Sequence, residues 1–141
     1  MHTREEKMQA FGRLLDVLDE LREKCPWDHK QTNESLRPNT IEETYELCDA
    51  LVKDDANEIC KELGDVLLHV CFYAKIGSEK EQFDIADVCN RLCDKLIFRH
   101  PHVYGDAVAN NAGDVVKTWE QIKLKEIYLI KKKSRNKQHL K

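Results

Sequence analysis

Glycine and proline are scarce in this 141-residue chain, with five and three copies, and aromatic residues make up 7%. A β fold with many turns needs more turn formers than that, so the composition favours helices. No apolar run approaches the roughly 18 residues a membrane span requires. The first residues, Met1-His2-Thr3-Arg4-Glu5-Glu6, are charged and carry no apolar stretch, so no secretory leader is expected. None of the six cysteines is arranged as C-x-x-C. Cys48, Cys71, Cys89 and Cys93 fall within apolar helical patterns, where a free thiol packs as a small hydrophobe. Reduced cysteines without an export signal point to a cytoplasmic protein. A zinc site from Cys89, Cys93, His100 and His102 would match no common ligand spacing. No internal repeat is present.

Charge, by contrast, is plentiful: 35% of residues are charged and the net charge is −3. Residues 128–141 hold Lys131, Lys132, Lys133, Arg135, Lys137 and Lys141 and no acid, so +6 sits there and −9 in the rest. An acidic body makes nucleic acid an unlikely partner and suits recruitment of cations, through which an anionic substrate then binds. The basic end is read as a mobile, solvated tail.

The acids are patterned. Glu42-Glu43-x-x-Glu46 is followed by Glu62-x-x-Asp65, each within a segment of helical periodicity. In the first segment Ile41, Tyr45, Cys48 and Val52 form an apolar stripe. In the second, Ile59, Leu63, Val66, Leu67, Leu68, Val70, Cys71, Phe72 and Tyr73 surround the acids, so this helix reads as buried almost all round. Buried carboxylates are costly unless paired or metal-bound. Lys61 and Lys75 project away from Glu62 and Asp65 on the helical wheel, so the helix itself offers no partner. Two such helices packed antiparallel would gather Glu43, Glu46, Glu62 and Asp65, oxygen donors suited to Mg²⁺ or Mn²⁺. For Glu42 and Glu43 alone, a capping box with Asn39 or Thr40 is the simpler reading.

In chain order, Thr3 to Lys24 reads as a first helix opened by a Thr3–Glu6 capping box. Residues 25–40 read as a loop carrying Trp27, which either plugs a bundle end or stacks on a ligand. Helix two runs from about Ile41 to Lys53, Asp54-Asp55 turns the chain, and Asp55 caps helix three. Gly64 there suggests close approach of a facing helix, and His69 reads as a satisfied core histidine. Gly77 to Gln82 is a polar break, and Asp84 caps helix four. Lys95 and Arg99 near its end complement the helix dipole. Asn110 to Asp114 is a loop before helix five, whose apolar stripe includes Trp119.

E-E-x-x-E…E-x-x-D resembles the signature of the all-α nucleoside triphosphate pyrophosphohydrolases, specifically the MazG family. The segments Cys25-Pro26-Trp27-Asp28-His29-Lys30-Gln31-Thr32-Asn33-Glu34-Ser35-Leu36, Lys95-Leu96-Ile97-Phe98-Arg99-His100-Pro101-His102-Val103-Tyr104-Gly105 and Trp119-Glu120-Gln121-Ile122-Lys123 resemble further stretches of that family. The resemblance covers roughly residues 5–126. It implies an all-α, four-helix-bundle domain over residues 1–127, one module where longer members carry two; a single module of this size exposes apolar helix faces, so a homodimer is expected.

The resemblance also implies hydrolysis of nucleoside or deoxynucleoside triphosphates to monophosphate and pyrophosphate. Glu43, Glu46, Glu62 and Asp65 would hold Mg²⁺, and Glu42 would position the attacking water. Lys95, Arg99 and Lys123 would meet phosphates, and Trp27 and Trp119 would contact the nucleotide. Two alternatives stay open. One is a single-substrate enzyme of the same fold acting on dUTP, dCTP or phosphoribosyl-ATP. The other is a silent nucleotide-binding or interaction module that meets a partner through its basic tail.

Overall fold

The structure, a computed structural model, describes residues 1–139. Seven helices and no strand occur among them: α1 Arg4–Lys24, α2 Pro26–Lys30, α3 Asn33–Lys53, α4 Ala56–Glu79, α5 Ile85–Arg99, α6 Pro101–Tyr104 and α7 Ala112–His139. The fold is all-α, as the composition predicts. The chain divides into two compact units, Met1–Val88 and the part from Cys89 onward, and the division falls within α5.

The first unit packs around Leu18 of α1, Leu36 of α3, and Cys71, Phe72 and Ile76 of α4. Phe11, Leu14, Leu15, Tyr73 and Ile85 lie against them, so four helices contribute to one core. Helix α1 begins with the expected capping box: Glu6 N–H donates to Thr3 Oγ1 and Thr3 N–H to Glu6 Oε1, at 3.1 and 3.0 Å. Asp54 closes α3 in the left-handed region at φ 55°, and Asp55 Oδ1 accepts from the N–H groups of Asn57 and Glu58 to open α4.

The 25–40 loop is not a loop. It folds as α2 and the first two turns of α3. Thr32 and Ser35 cap each other's backbone N–H groups and start α3 eight residues before Ile41. Pro38, which hides this helix from periodicity, is carried inside it.

The faces of α3 and α4 also differ from expectation. Ile41, Tyr45, Cys48 and Val52 point outward, with Val52 at 87% exposure. The inward stripe is Leu36, Thr40, Glu43, Leu47 and Ala50. Helix α4 buries Cys71, Phe72, Ala74, Ile76 and Gly77, whereas Leu63, Leu67, Leu68 and Val70 ahead of them remain exposed.

Glycine use is reversed as well. A Cβ on Gly64 would meet nothing within 4 Å, so no helix approaches it closely. A Cβ on Gly77 would lie 2.7–2.9 Å from the Phe83 ring, and this glycine admits the aromatic.

Asp84 and Asp87 cap each other to open α5 within the first unit, and in the second unit α7 is opened by Asn111, whose Oδ1 accepts from Asp114 N–H at 3.0 Å. Helix α7 runs through 127/128 without interruption to His139, where the sequence suggested a mobile tail. The end of that tail, including Lys141, lies outside the described residues.

Candidate active site

Helices α3 and α4 run antiparallel, which follows from their pairings. Thr40 meets His69 and Tyr73, Glu43 gathers with Glu62 and Asp65, and Lys53 lies 3.7 Å from Glu58. The short Asp54-Asp55 turn leaves the chain no other course. Because Glu43 shares the inward stripe of α3, it faces Glu62 and Asp65, which lie one turn apart on α4.

One carboxylate oxygen from each of Glu43, Glu62 and Asp65 lies within 4.8 Å of the others. Glu46 is exposed and sits beside this trio, adding its charge to that on Glu43. Glu42 is exposed on the adjoining face. Burial pushes the Glu43 carboxyl above its ordinary range, and the charges of Glu46, Asp65 and Glu62 push it further.

Lys61 corrects the wheel argument. Its flexible stem brings Nζ 2.9 Å from Glu62 Oε1 and 3.5 Å from Asp65 Oδ2, so α4 does supply a partner. The hydrogen bond from Lys61 holds the Glu62 carboxyl below its usual range. Lys75 turns instead to Asp19 of α1, at 3.0 Å.

Lys61 does not complete the site. Glu43 Oε2 and Glu62 Oε2 are shielded from solvent and accept no hydrogen bond from any described residue. The Glu62 side chain is only 12% exposed, and a carboxylate oxygen withdrawn from water without a partner is costly. Hard oxygen donors, excess negative charge and two orphaned oxygens form a site that a divalent cation would satisfy.

Behind the acids, Thr40 Oγ1 donates to Leu36 O at 3.1 Å and also bonds His69 Nδ1 and Tyr73 Oη. His69 is therefore satisfied by its neighbours, and burial pushes its pKa down while Asp65 opposes that shift. Sequence periodicity gives no sign of this network, because Thr40 lies in the stretch that reads as loop.

Trp27 lies on α2 with its side chain exposed. Its carbonyl accepts from Gln31 Nε2 at 2.9 Å. Gln31 and Arg22, which hold this segment, carry no distinguishing mark in the sequence.

Lys95, Arg99, Trp119 and Lys123 belong to the second unit. There Arg99 Nη2 donates to Glu126 Oε2 at 2.6 Å, and that bond with the nearby positive charge holds the Glu126 carboxyl low. The Arg99 guanidinium and Lys123 Nζ lie 5.5 and 5.7 Å from the centre of the Trp119 ring. Trp119 Nε1 is buried without an acceptor among the described residues. Lys95 is exposed. Arg99, Lys123 and Trp119 thus form a cationic and aromatic group, and the Lys95 charge acts on the Glu126 carboxyl beside it.

Comparison with known proteins identifies the family. Residues 31–104 match the MazG nucleotide pyrophosphohydrolase domain. A nucleoside triphosphate pyrophosphohydrolase of Escherichia coli (strain K12) is 44% identical over 122 residues, 84% of this chain and 46% of that protein. The nucleoside triphosphate pyrophosphohydrolase/pyrophosphatase MazG of Thermotoga maritima is 48% identical over 118 residues, 82% of this chain and 45% of its own length. The chain thus spans about half the length of the curated relatives it matches. The crystal structure of a mazG-related protein from Thermotoga maritima superposes with a TM-score of 0.68 at 24% identity, covering 79% of this chain and 97% of that one. It shares the fold. With the domain match extending over more than half of its residues, the chain belongs to the family of the MazG nucleotide pyrophosphohydrolase domain.

Proposed function

We propose that this chain hydrolyses nucleoside and deoxynucleoside triphosphates between the α and β phosphorus atoms, releasing the monophosphate and pyrophosphate. The observation that carries the proposal is the pair of orphaned carboxylate oxygens on Glu43 and Glu62 within an acidic trio. Related proteins named for this activity support it.

The residues present fit a divalent cation. Glu43, Glu62 and Asp65 would hold it, with Glu46 beside them, and Mg²⁺ is the ion we assign, with Mn²⁺ as a substitute. Such an ion supplies charge neutralisation at the phosphates and favours deprotonation of water. Glu42 is exposed next to the ligands and is left to orient the attacking water, accepting its proton at a carboxylate oxygen. Lys95, Arg99 and Lys123 carry the positive charge assigned to the phosphates, and Trp27 and Trp119 the aromatic contacts to the nucleotide.

A homodimer belongs to the same proposal, because Leu63, Leu67, Leu68 and Val70 leave an apolar face of α4 uncovered. Among the described residues no helix is long and apolar enough to cross a membrane. Cys25, Cys48, Cys60, Cys89 and Cys93 are free thiols, which fits the cytoplasm as the setting we propose.

Product analysis tests the reaction. The protein is incubated with a panel of ribo- and deoxyribonucleoside triphosphates and Mg²⁺, with and without EDTA. Monophosphate plus pyrophosphate, lost with EDTA, is expected. Diphosphate plus orthophosphate would contradict the proposal. A strong preference for one substrate in the panel would narrow the enzyme to that substrate.

A further inference from the structure

Arg22 has no role in the chemistry above, yet all three of its guanidinium nitrogens donate hydrogen bonds. Nη1 reaches the backbone carbonyls of Asp28, His29 and Gln31 at 2.6, 2.9 and 2.9 Å. Nη2 and Nε donate to Glu79 of α4 at 2.8 and 2.9 Å. The group lies 5.6 Å from the centre of the Phe72 ring, and the side chain is 13% exposed. These bonds converge on α2, a helix of five residues whose last carbonyls have no partner within it. So short a helix does not hold its shape alone.

The same segment is held from its other side. Gln31, buried at 8% exposure, donates Nε2 to Trp27 O at 2.9 Å and accepts from Ser35 Oγ at 2.7 Å. His29 Nδ1 lies 3.0 Å from Arg22 O. The backbone of α2 is therefore tied to α1, α3 and α4, while the Trp27 ring it carries is 50% exposed. A ring that plugged the bundle would be buried. A large aromatic kept in water on a rigidly held segment is a ready surface for stacking a planar group.

We propose that Arg22, with Glu79 and Gln31, is a positioning residue that fixes the α2 segment so that Trp27 receives the nucleobase. This rests on the nucleotide reading above. Stacking on an aromatic face tolerates any base, so the seat contributes affinity rather than choice among bases. Lysine does not replace Arg22, because one ammonium cannot serve three converging carbonyls and a carboxylate together.

The test uses a non-hydrolysable α,β-methylene triphosphate analogue, with Mg²⁺, and isothermal titration calorimetry. Trp27→Ala is expected to weaken binding about tenfold, as loss of one stacked base does. Arg22→Gln and Arg22→Lys are expected to weaken it by a similar factor. The Arg22→Gln/Trp27→Ala double variant should bind no more weakly than Trp27→Ala alone, because both act through one contact. Hydrogen exchange in residues 25–32 should rise in the Arg22 variants, while the rise in Tm on adding Mg²⁺ stays as in the wild type. Should Arg22→Gln not fold, Arg22→Lys carries the comparison. Wild-type affinity in Arg22→Lys, or effects that multiply in the double variant, would overturn the inference and leave the nucleotide reading standing. A wild type that binds no analogue would overturn both.

Discussion

The two ends of α4 hold carboxylates in opposite conditions. Near its start, Glu62 and Asp65 meet Glu43 across a face with more negative charge than partners, and two oxygens accept no hydrogen bond from any described residue. Near its end, Glu79 is paired with Arg22, and Cys71, Phe72 and Ile76 fill the core beside it. The arginine hydrogen bond holds the Glu79 carboxyl below its ordinary range, whereas burial and neighbouring charge push Glu43 above its own. One end is satisfied and stabilises the fold. The other carries an electrostatic cost that a bound cation would relieve. The same residue type therefore serves as scaffold or as site according to what its surroundings leave unpaired.

Substitutions at each end should separate these roles. Phe72→Ala at the satisfied end is expected to cost about 3–5 kcal/mol in urea unfolding. Glu62→Ala at the other end should lower turnover by at least about a hundredfold, the scale for removing one preorganised charge contact, without loss of the folded state. If Glu62→Ala unfolds the protein while keeping its specific activity, the division fails.

The glycines sharpen the comparison on a smaller scale. Gly64→Ala should raise stability by about 0.5–1 kcal/mol, because alanine favours helix and the added methyl meets open space. Gly77→Ala should lower it, since the methyl would collide with Phe83. Thermal melts of the two variants should move in opposite directions.

The smallest effects are in pH. Glu79 titrates below its unfolded value, so its contribution is complete above the ordinary carboxylate range and is lost as pH falls through the lower folded value. Glu43 has the opposite sign. Its folded value is raised, so stability without divalent cations falls as pH rises through the window between the two values. Glu79→Gln should remove part of the acid-side loss, and Glu43→Gln part of the loss at higher pH. Urea unfolding in EDTA across that range checks both slopes. Solvent screening of Glu79, whose side chain is 38% exposed, keeps its term small.

How much of this the sequence discloses depends on the range of the cause. The Thr3–Glu6 cap and the Asp54-Asp55 turn follow from local spacing, and the structure contains both; of the four acids expected to gather, Glu43, Glu62 and Asp65 meet across the two helices and Glu46 stays exposed beside them. The start of α3 is hidden because Pro38 lies beyond a cap at Thr32 that only local hydrogen bonding reveals. The inward face of α3 is misassigned because its stripe includes a charged residue, Glu43, which periodicity counts as outward. Lys61 is missed because a wheel projects stems and not the reach of a flexible ammonium. The Arg22–Glu79 pair joins residues 57 apart, and no pattern within one helix can report it.

The central claim is that the uncompensated end of α4 is a cation site. Electron paramagnetic resonance of Mn²⁺, titrated with protein in the absence of nucleotide, tests it most directly. The wild type should deplete the free-ion signal, Mg²⁺ should restore it by competition, and Glu62→Ala should leave it nearly untouched. Equal depletion by the wild type and Glu62→Ala, or none by either, would contradict the account.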